Sequence, residues 1–346
     1  MMNKLNSAVD IVRQYYINDD RPWIIGFSGG KDSSLVVKLF LLAIKDLKIQ
    51  KKDVYIYYCD TGVEIPVLNG YIEKVLGDIQ EEGREFGINV LVEAIKPKLE
   101  DRYFVKLIGR GYPPPSNKFR WCTDRLRINP IQESIKKYLK SEEVVVLLGT
   151  RYEESLERDK ILNKNHIDKY IYRQEGYSRT TLFCPIVDFN IDDVWDGLSE
   201  YSDVKSIDIH AISKIYKNIS GECPIIRMPD DSPCSKGRFG CWTCTVIRKD
   251  KATQNLILNG HVSLIPLLEF RDWLLSVRDN PAYRCSVRRN GARSLGPFRL
   301  SGRQVILDRL LYAQKMSGHE LISKDEIIEI RRLWELDRIS SKYRED

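Results

Sequence analysis

Trp23-Ile24-Ile25-Gly26-Phe27-Ser28-Gly29-Gly30-Lys31-Asp32-Ser33-Ser34 decides how this chain of 346 residues folds. An apolar, β-branched stretch from Trp23 to Phe27 runs into Ser-Gly-Gly, then into a helical pattern through Leu35, Val36, Leu39 and Leu42. That order reads as strand, tight turn and helix N-terminus. Glycines let the backbone approach a ligand closely. The first turn of a helix offers unpaired N–H groups and the positive end of a dipole, and Lys31 adds a charge. Such a turn is built to hold phosphate. It is not a Walker A loop, which places four residues between its first glycine and Gly-Lys-Ser/Thr.

Outward from this turn, residues 1–204 alternate two kinds of segment. Strands are predicted at Trp23–Phe27, Val54–Cys59, Val90–Ile95, Val144–Gly149 and Thr181–Ile186, and helices at Asp32–Leu47, Val67–Phe86, Asp124–Leu139 and Ile191–Ser199. This βαβ rhythm predicts an α/β fold with a doubly wound, mostly parallel sheet. Ligands of such sheets sit at the carboxyl ends of the strands. Beyond residue 205 strand patterns fade. Residues 205–346 read as a smaller, mainly helical domain, with helices near His261–Val277, Arg303–Lys315 and Lys324–Trp334.

Polar segments follow the predicted strands. Cys59-Asp60-Thr61-Gly62 follows the second, and Gly149-Thr150-Arg151 through Arg158 follows the fourth; Arg120-Trp121-Cys122-Thr123-Asp124-Arg125 opens a helix. Together with Ser-Gly-Gly-Lys-Asp-Ser, these segments resemble the PAPS reductase-like branch of the PP-loop ATP pyrophosphatases. The resemblance implies that Ser28, Gly29, Gly30, Lys31, Asp32, Ser33 and Ser34 hold ATP, with Asp60, Thr61 and Gly62 bordering the adenosine. It further implies that Gly149, Arg125 and Arg158 line the nucleotide, and that Lys31, Asp32, Arg120 and Arg151 carry the reaction. A leaving pyrophosphate calls for several cations, and arginine bonds phosphate bidentately. Asp32 and Asp60 are candidates for Mg²⁺, with helix capping as the other reading of Asp32.

Eight cysteines in a chain of this size suggest metal or sulfur chemistry rather than disulfides. Cys223, Cys234, Cys241 and Cys244 fall close together, the last two as Cys-x-x-Cys, a spacing that lets two thiolates chelate one centre. Four thiolates suit either zinc or [4Fe–4S]. Cys184, in an apolar strand, reads as core. Cys59 and Cys122 flank the expected nucleotide pocket, and each is a candidate to carry sulfur. The run Gly237-Arg238-Phe239-Gly240-Cys241-Trp242-Thr243-Cys244-Thr245 narrows the resemblance to the DndC/SspD proteins of bacterial DNA phosphorothioation. That family implies a [4Fe–4S] cluster on the four clustered cysteines and adenylation of a DNA phosphate before sulfur replaces an oxygen. Its implied partners are DNA, a cysteine desulfurase and an ATPase.

The net charge of +6 is uneven: residues 1–200 sum to −1 and residues 201–346 to +7, which makes the second half the expected partner of a polyanion. From Asn280 to Leu307 there is no acidic residue, yet Arg284, Arg288, Arg289, Arg293, Arg299 and Arg303 occur there. Arginine in a glycine-rich segment suits DNA phosphate, with Tyr283 or Phe298 available to stack on a base. No apolar run is long enough to span a bilayer, so a cytoplasmic protein with no membrane partner is expected. Three rival readings remain. A PAPS or adenylylsulfate reductase would call for a cysteine near the C-terminus, and none follows Cys285. A tRNA thiolase also joins such a loop to a cluster. A DNA-binding scaffold would need a degenerate nucleotide loop, whereas this one is intact.

Overall fold

The computed structural model describes residues 2–47, 52–138, 143–154, 156–177, 179–220 and 240–340. The chain forms two units that interleave along the sequence: Met1–Cys59, Leu68–Ile95 and Glu133–Phe239 make one, and Asp60–Val67, Lys96–Gln132 and Gly240–Asp346 the other.

In the first unit, α1 (Met2–Asn18) leads to β1 (Trp23–Phe27), α2 (Lys31–Ile44), β2 (Val54–Cys59), α3 (Asn69–Glu85) and β3 (Val90–Ile95). The chain then passes through the second unit, where α4 (Trp121–Thr123) continues by a π-helical stretch, Asp124–Ile128, into α5 (Asn129–Tyr138), which re-enters the first unit at Glu133. Back in the first unit come β4 (Val144–Leu147), α6 (Leu156–Asn165), β5 (His166–Asp168), β6 (Ile171–Arg173), β7 (Thr180–Phe183), α7 (Ile191–Ser199) and α8 (Ile209–Ser220). The strands form one sheet in the order β3-β2-β1-β4-β7-β6-β5. The five from β3 to β7 are parallel, and β6 and β5 add an antiparallel edge.

The expected doubly wound, mostly parallel sheet is therefore present. Its central strand, Trp-Ile-Ile-Gly-Phe, is apolar on both faces because both are covered. Every residue of α2 from Ser33 to Ile44 is buried, as a helix packed against the sheet, α1 and α7 requires. The Trp23 ring anchors this core against Tyr16, Phe183 and Phe40, with centroids 5.4, 5.7 and 6.3 Å away. The strand order reverses between β1 and β4, so the crevice beyond their carboxyl ends is the topological switch point where such sheets bind ligands.

The second unit also contains α9 (Lys251–Leu258), α10 (Ile265–Val277), α11 (Leu300–Ser317) and α12 (Lys324–Ile339). Its core joins Phe104, Trp242 and Phe270, whose ring centroids lie 5.8 to 6.4 Å apart. Helix α12 packs on the π-helical stretch Val105–Gly109, where Trp334 Nε1 donates to the Ile108 carbonyl at 2.9 Å. Among the described residues, no helix is long and apolar enough to cross a membrane.

Candidate functional site

The loop between β1 and α2 is wound around two serines. The Ser28 N–H donates to Ser33 Oγ at 3.1 Å, the two hydroxyls lie 3.0 Å apart, and Ser33 Oγ donates to the Gly30 carbonyl. Gly29 takes φ +75°, a left-handed turn that favours glycine. Helix α2 then starts at Lys31 with its first N–H groups lacking intrahelical acceptors. The Lys31 N–H finds the Tyr216 hydroxyl at 3.2 Å.

Three charged side chains meet at that helix start. Lys31 Nζ lies 2.8 Å from Asp32 Oδ2, and Arg151 Nε lies 2.6 Å from Asp32 Oδ1. Arg151 also donates to the Phe189 carbonyl, and the Lys31 ammonium lies over the Tyr216 ring. Burial alone would raise the Asp32 carboxyl; Lys31 and then Arg151 outweigh it and hold the carboxyl below its ordinary value. Burial, then Asp32, pushes the Tyr216 hydroxyl well above its ordinary range, so it stays protonated. Gly149 brings the β4 exit against this group: a Cβ there would stand 2.7 Å from the Asp32 carbonyl carbon. Thus Lys31, Asp32, Gly149 and Arg151 converge at the switch point. Arg158 is exposed and paired with Glu154.

Asp60, Thr61, Gly62, Arg120 and Arg125 belong to the second unit. Asp60 accepts from the Gly62 N–H and pairs with Lys96 at 3.1 Å. Thr61 donates to the Glu64 carboxylate through both its N–H and its hydroxyl. Arg125 lies 3.7 Å from Asp101, and Arg120 is exposed just before α4. The Asp60–Glu64 segment packs on the cysteine segment: Glu64 bridges to Cys241, and the Trp242 N–H donates to the Val63 carbonyl.

Cys223 and Cys234 lie outside the described residues. Cys241 and Cys244 form a turn closed by the Cys244 N–H on the Cys241 carbonyl at 3.1 Å. The Arg127 guanidinium and the Thr61 hydroxyl stand 3.8 and 3.9 Å from Cys241 Sγ. Burial pushes the Cys241 thiol up to about 11, so without a metal it is neutral. Cys122 is raised too, by burial and then by Cys244. Tyr103 donates its hydroxyl to the Thr243 carbonyl, and burial first pushes that hydroxyl well above its ordinary range. Cys122 therefore lies within electrostatic reach of Cys244. Among the described residues, no set of three or more His, Cys, Asp or Glu is arranged to hold a metal ion. Cys184 is core, as expected, with burial pushing its thiol up to about 12.

Sequence reasoning missed Tyr216 and Arg271. Tyr216 lies on α8, whose Ile212, Tyr216 and Ile219 are buried at helical spacing, a periodicity present in the sequence. Arg271, fully buried on α10, donates to the carbonyls of Cys244, Ile247 and Arg248 and so straps the chain that follows the Cys-x-x-Cys turn. No motif marks such a residue.

Residues 22–247 match the phosphoadenosine phosphosulfate reductase domain family. Two uncharacterized proteins of Methanocaldococcus jannaschii are 26% and 27% identical, over 50% and 55% of the chain. The aligned regions cover 31% and 40% of those relatives, well under half of each. Similar solved structures include phosphoadenylyl-sulfate reductase from Candida auris in a phosphate complex, at 14% identity and TM-score 0.38, covering 59% of this chain and 84% of that one. Another is the U34-tRNA thiolase of Methanococcus maripaludis with its [4Fe–4S] cluster, at 15% identity and TM-score 0.38, covering 80% of each chain.

Proposed function

The chain belongs to the phosphoadenosine phosphosulfate reductase domain family, and on that premise we propose that it is an ATP pyrophosphatase that adenylates a DNA backbone phosphate, so that sulfur can replace a non-bridging oxygen. The observation that supports this reading is the group at the switch point: Lys31, Asp32 and Arg151 gathered at the first turn of α2 behind a glycine loop. A phosphate oxygen of the acceptor attacks the α-phosphorus of ATP, a new P–O bond forms, and the bond to the bridging oxygen breaks as pyrophosphate leaves. The acceptor is already anionic, so no general base is assigned. Lys31, Arg151 and the helix dipole stabilise charge on the departing pyrophosphate, while Asp32 keeps both cations aimed. A sulfur nucleophile then displaces AMP from the activated phosphate.

The donor sets fit the implied groups to different degrees. Asp32 is held ionised and suits a hard cation, though each of its oxygens already has a cationic partner. Mg²⁺ bound with the nucleotide would neutralise charge on pyrophosphate. Cys241 and Cys244 are soft donors, Cys241 in a buried setting, and with Cys223 and Cys234 they would supply the four thiolates of a [4Fe–4S] cluster, while Cys122 remains a candidate sulfur carrier. A cysteine desulfurase is the proposed sulfur source and an ATPase a proposed further partner.

The test supplies ³²P-labelled DNA, ATP and the anaerobically purified protein, and withholds sulfur. An adenylated DNA adduct is expected, and it should disappear when a cysteine desulfurase and cysteine are added. Adenylation of tRNA or sulfate and not of DNA would contradict the proposal.

A further inference from the structure

A cavity of about 480 Å³ opens in the second unit within the acid-free segment, lined by Arg284, Arg293, Arg299, Ser294, Val287 and Leu295 among others. Its volume falls in the range of small-ligand sites. The six arginines of this segment are not equivalent. Arg284 is buried and donates to the carbonyls of Gly296, Arg278 and Leu295, and Arg299 Nε donates to the Arg284 carbonyl at 2.8 Å. Arg289 donates to the Arg110 carbonyl and lies over the Tyr112 ring. Arg303 is buried against Asp337 and the carbonyls of Gly109 and Phe298. Arg284, Arg289 and Arg303 brace the fold, and Arg299 joins them through its Nε while its side chain lines the cavity. The side chains of Arg288 and Arg293 are exposed and have no hydrogen-bond or ion-pair partner among the described residues. The expected stacking role of Phe298 is corrected: its ring is fully buried under the Arg284 guanidinium.

We propose that this cavity seats one nucleotide of a polynucleotide, with Arg293 and Arg299 on its phosphate and Val287 and Leu295 against its sugar and base. The wall chemistry is that of a phosphate ester with an apolar neighbour: two reachable guanidinium groups, two serines and an aliphatic strip, with no carboxylate lining the cavity. The nearest carboxylate in sequence, Asp279, is already paired with Arg278. Burial lowers the Arg284 guanidinium against the pull of Asp279 and Cys285, with smaller lowering from Arg288 and Arg278. A free nucleotide would leave Arg288, exposed beside the cavity lining, without use; a polynucleotide carries a further phosphate to it. The inference deepens the proposed function by naming a nucleic-acid contact, and it rests on that reading.

Fluorescence anisotropy of the full-length protein with a labelled single-stranded oligodeoxynucleotide tests it. Arg293→Glu should weaken binding about tenfold or more and flatten the salt slope by roughly 0.7, the share of a single phosphate on a single strand. Arg331→Glu, an equal charge reversal on α12, should change affinity less than about twofold. Arg293→Ala, checked for folding by circular dichroism, should weaken binding without adding a negative charge. If Arg293→Glu binds like Arg331→Glu, the oligonucleotide does not use the cavity. If AMP competes as tightly as the oligonucleotide, the polynucleotide is excluded. Pyrophosphate release by the wild-type protein is measured in parallel. Its absence with oligonucleotide binding intact would sink the proposed chemistry and leave the cavity standing.

Discussion

Asp32 is where two cations, a helix start and a glycine loop are tied together, and its removal frees Lys31 and Arg151 from their shared carboxylate. Lys31→Ala and Asp32→Ala are each expected to lower ATP turnover by about 10²-fold or more, the scale of losing one preorganised charged group at a developing anion. The fold and any iron content should stay unchanged, and unaltered turnover in both variants would contradict the assignment. The same carboxyl gives a pH prediction. Its pKa is lowered from 3.8 in the folded chain, so the stability it contributes is present above that value and is lost as pH falls through the lower, folded pKa. Thermal unfolding of Asp32→Asn against wild type from about pH 5 to about pH 3 should show the two curves converging on the acid side. A gap that widens there would contradict the sign.

At the scale of elements, Gly149 and Arg271 hold the two candidate sites in shape. Gly149→Ala forces the β4 exit off the start of α2, where a Cβ has no room. It is expected to weaken ATP binding, measured by calorimetry, more than it lowers the melting temperature. Arg271→Leu takes the buried donor from three part-buried carbonyls and should cost about 2 kcal/mol or more in thermal unfolding. An unchanged melting temperature would show that the strap is dispensable. The sequence was legible where apolar runs are long and bounded. β1, β2, β3 and α7 begin and end at the predicted residues, because continuous β-branched stretches or a strong helical period admit one reading. β5 and β6 have three residues each, too short for any period, and their antiparallel edge had no sequence signal. At the sites, Ser28 to Ser34 was legible because glycine, lysine and a helix start are local. The packing of Glu64 against Cys241, and of the Trp242 N–H on the Val63 carbonyl, was not, since residues far apart in the chain are brought together by the fold and not by spacing.

At the scale of the whole molecule, the chain carries the Ser28–Ser34 loop in one unit and the Cys-x-x-Cys turn with the exposed Arg288 and Arg293 in the other. Cys241→Ser and Cys244→Ser should each lose iron and acid-labile sulfide from anaerobic preparations, while Cys122→Ser and the core substitution Cys184→Ser should keep both. Stoichiometric zinc without sulfide would replace the cluster by a structural metal. Everything else hangs on which bond of ATP is broken. The most direct measurement is product analysis of ATP labelled at the α- and γ-phosphates, incubated with anaerobic protein, Mg²⁺ and DNA. AMP and pyrophosphate, dependent on DNA and absent in Lys31→Ala, are the predicted products; ADP and inorganic phosphate would contradict the assignment.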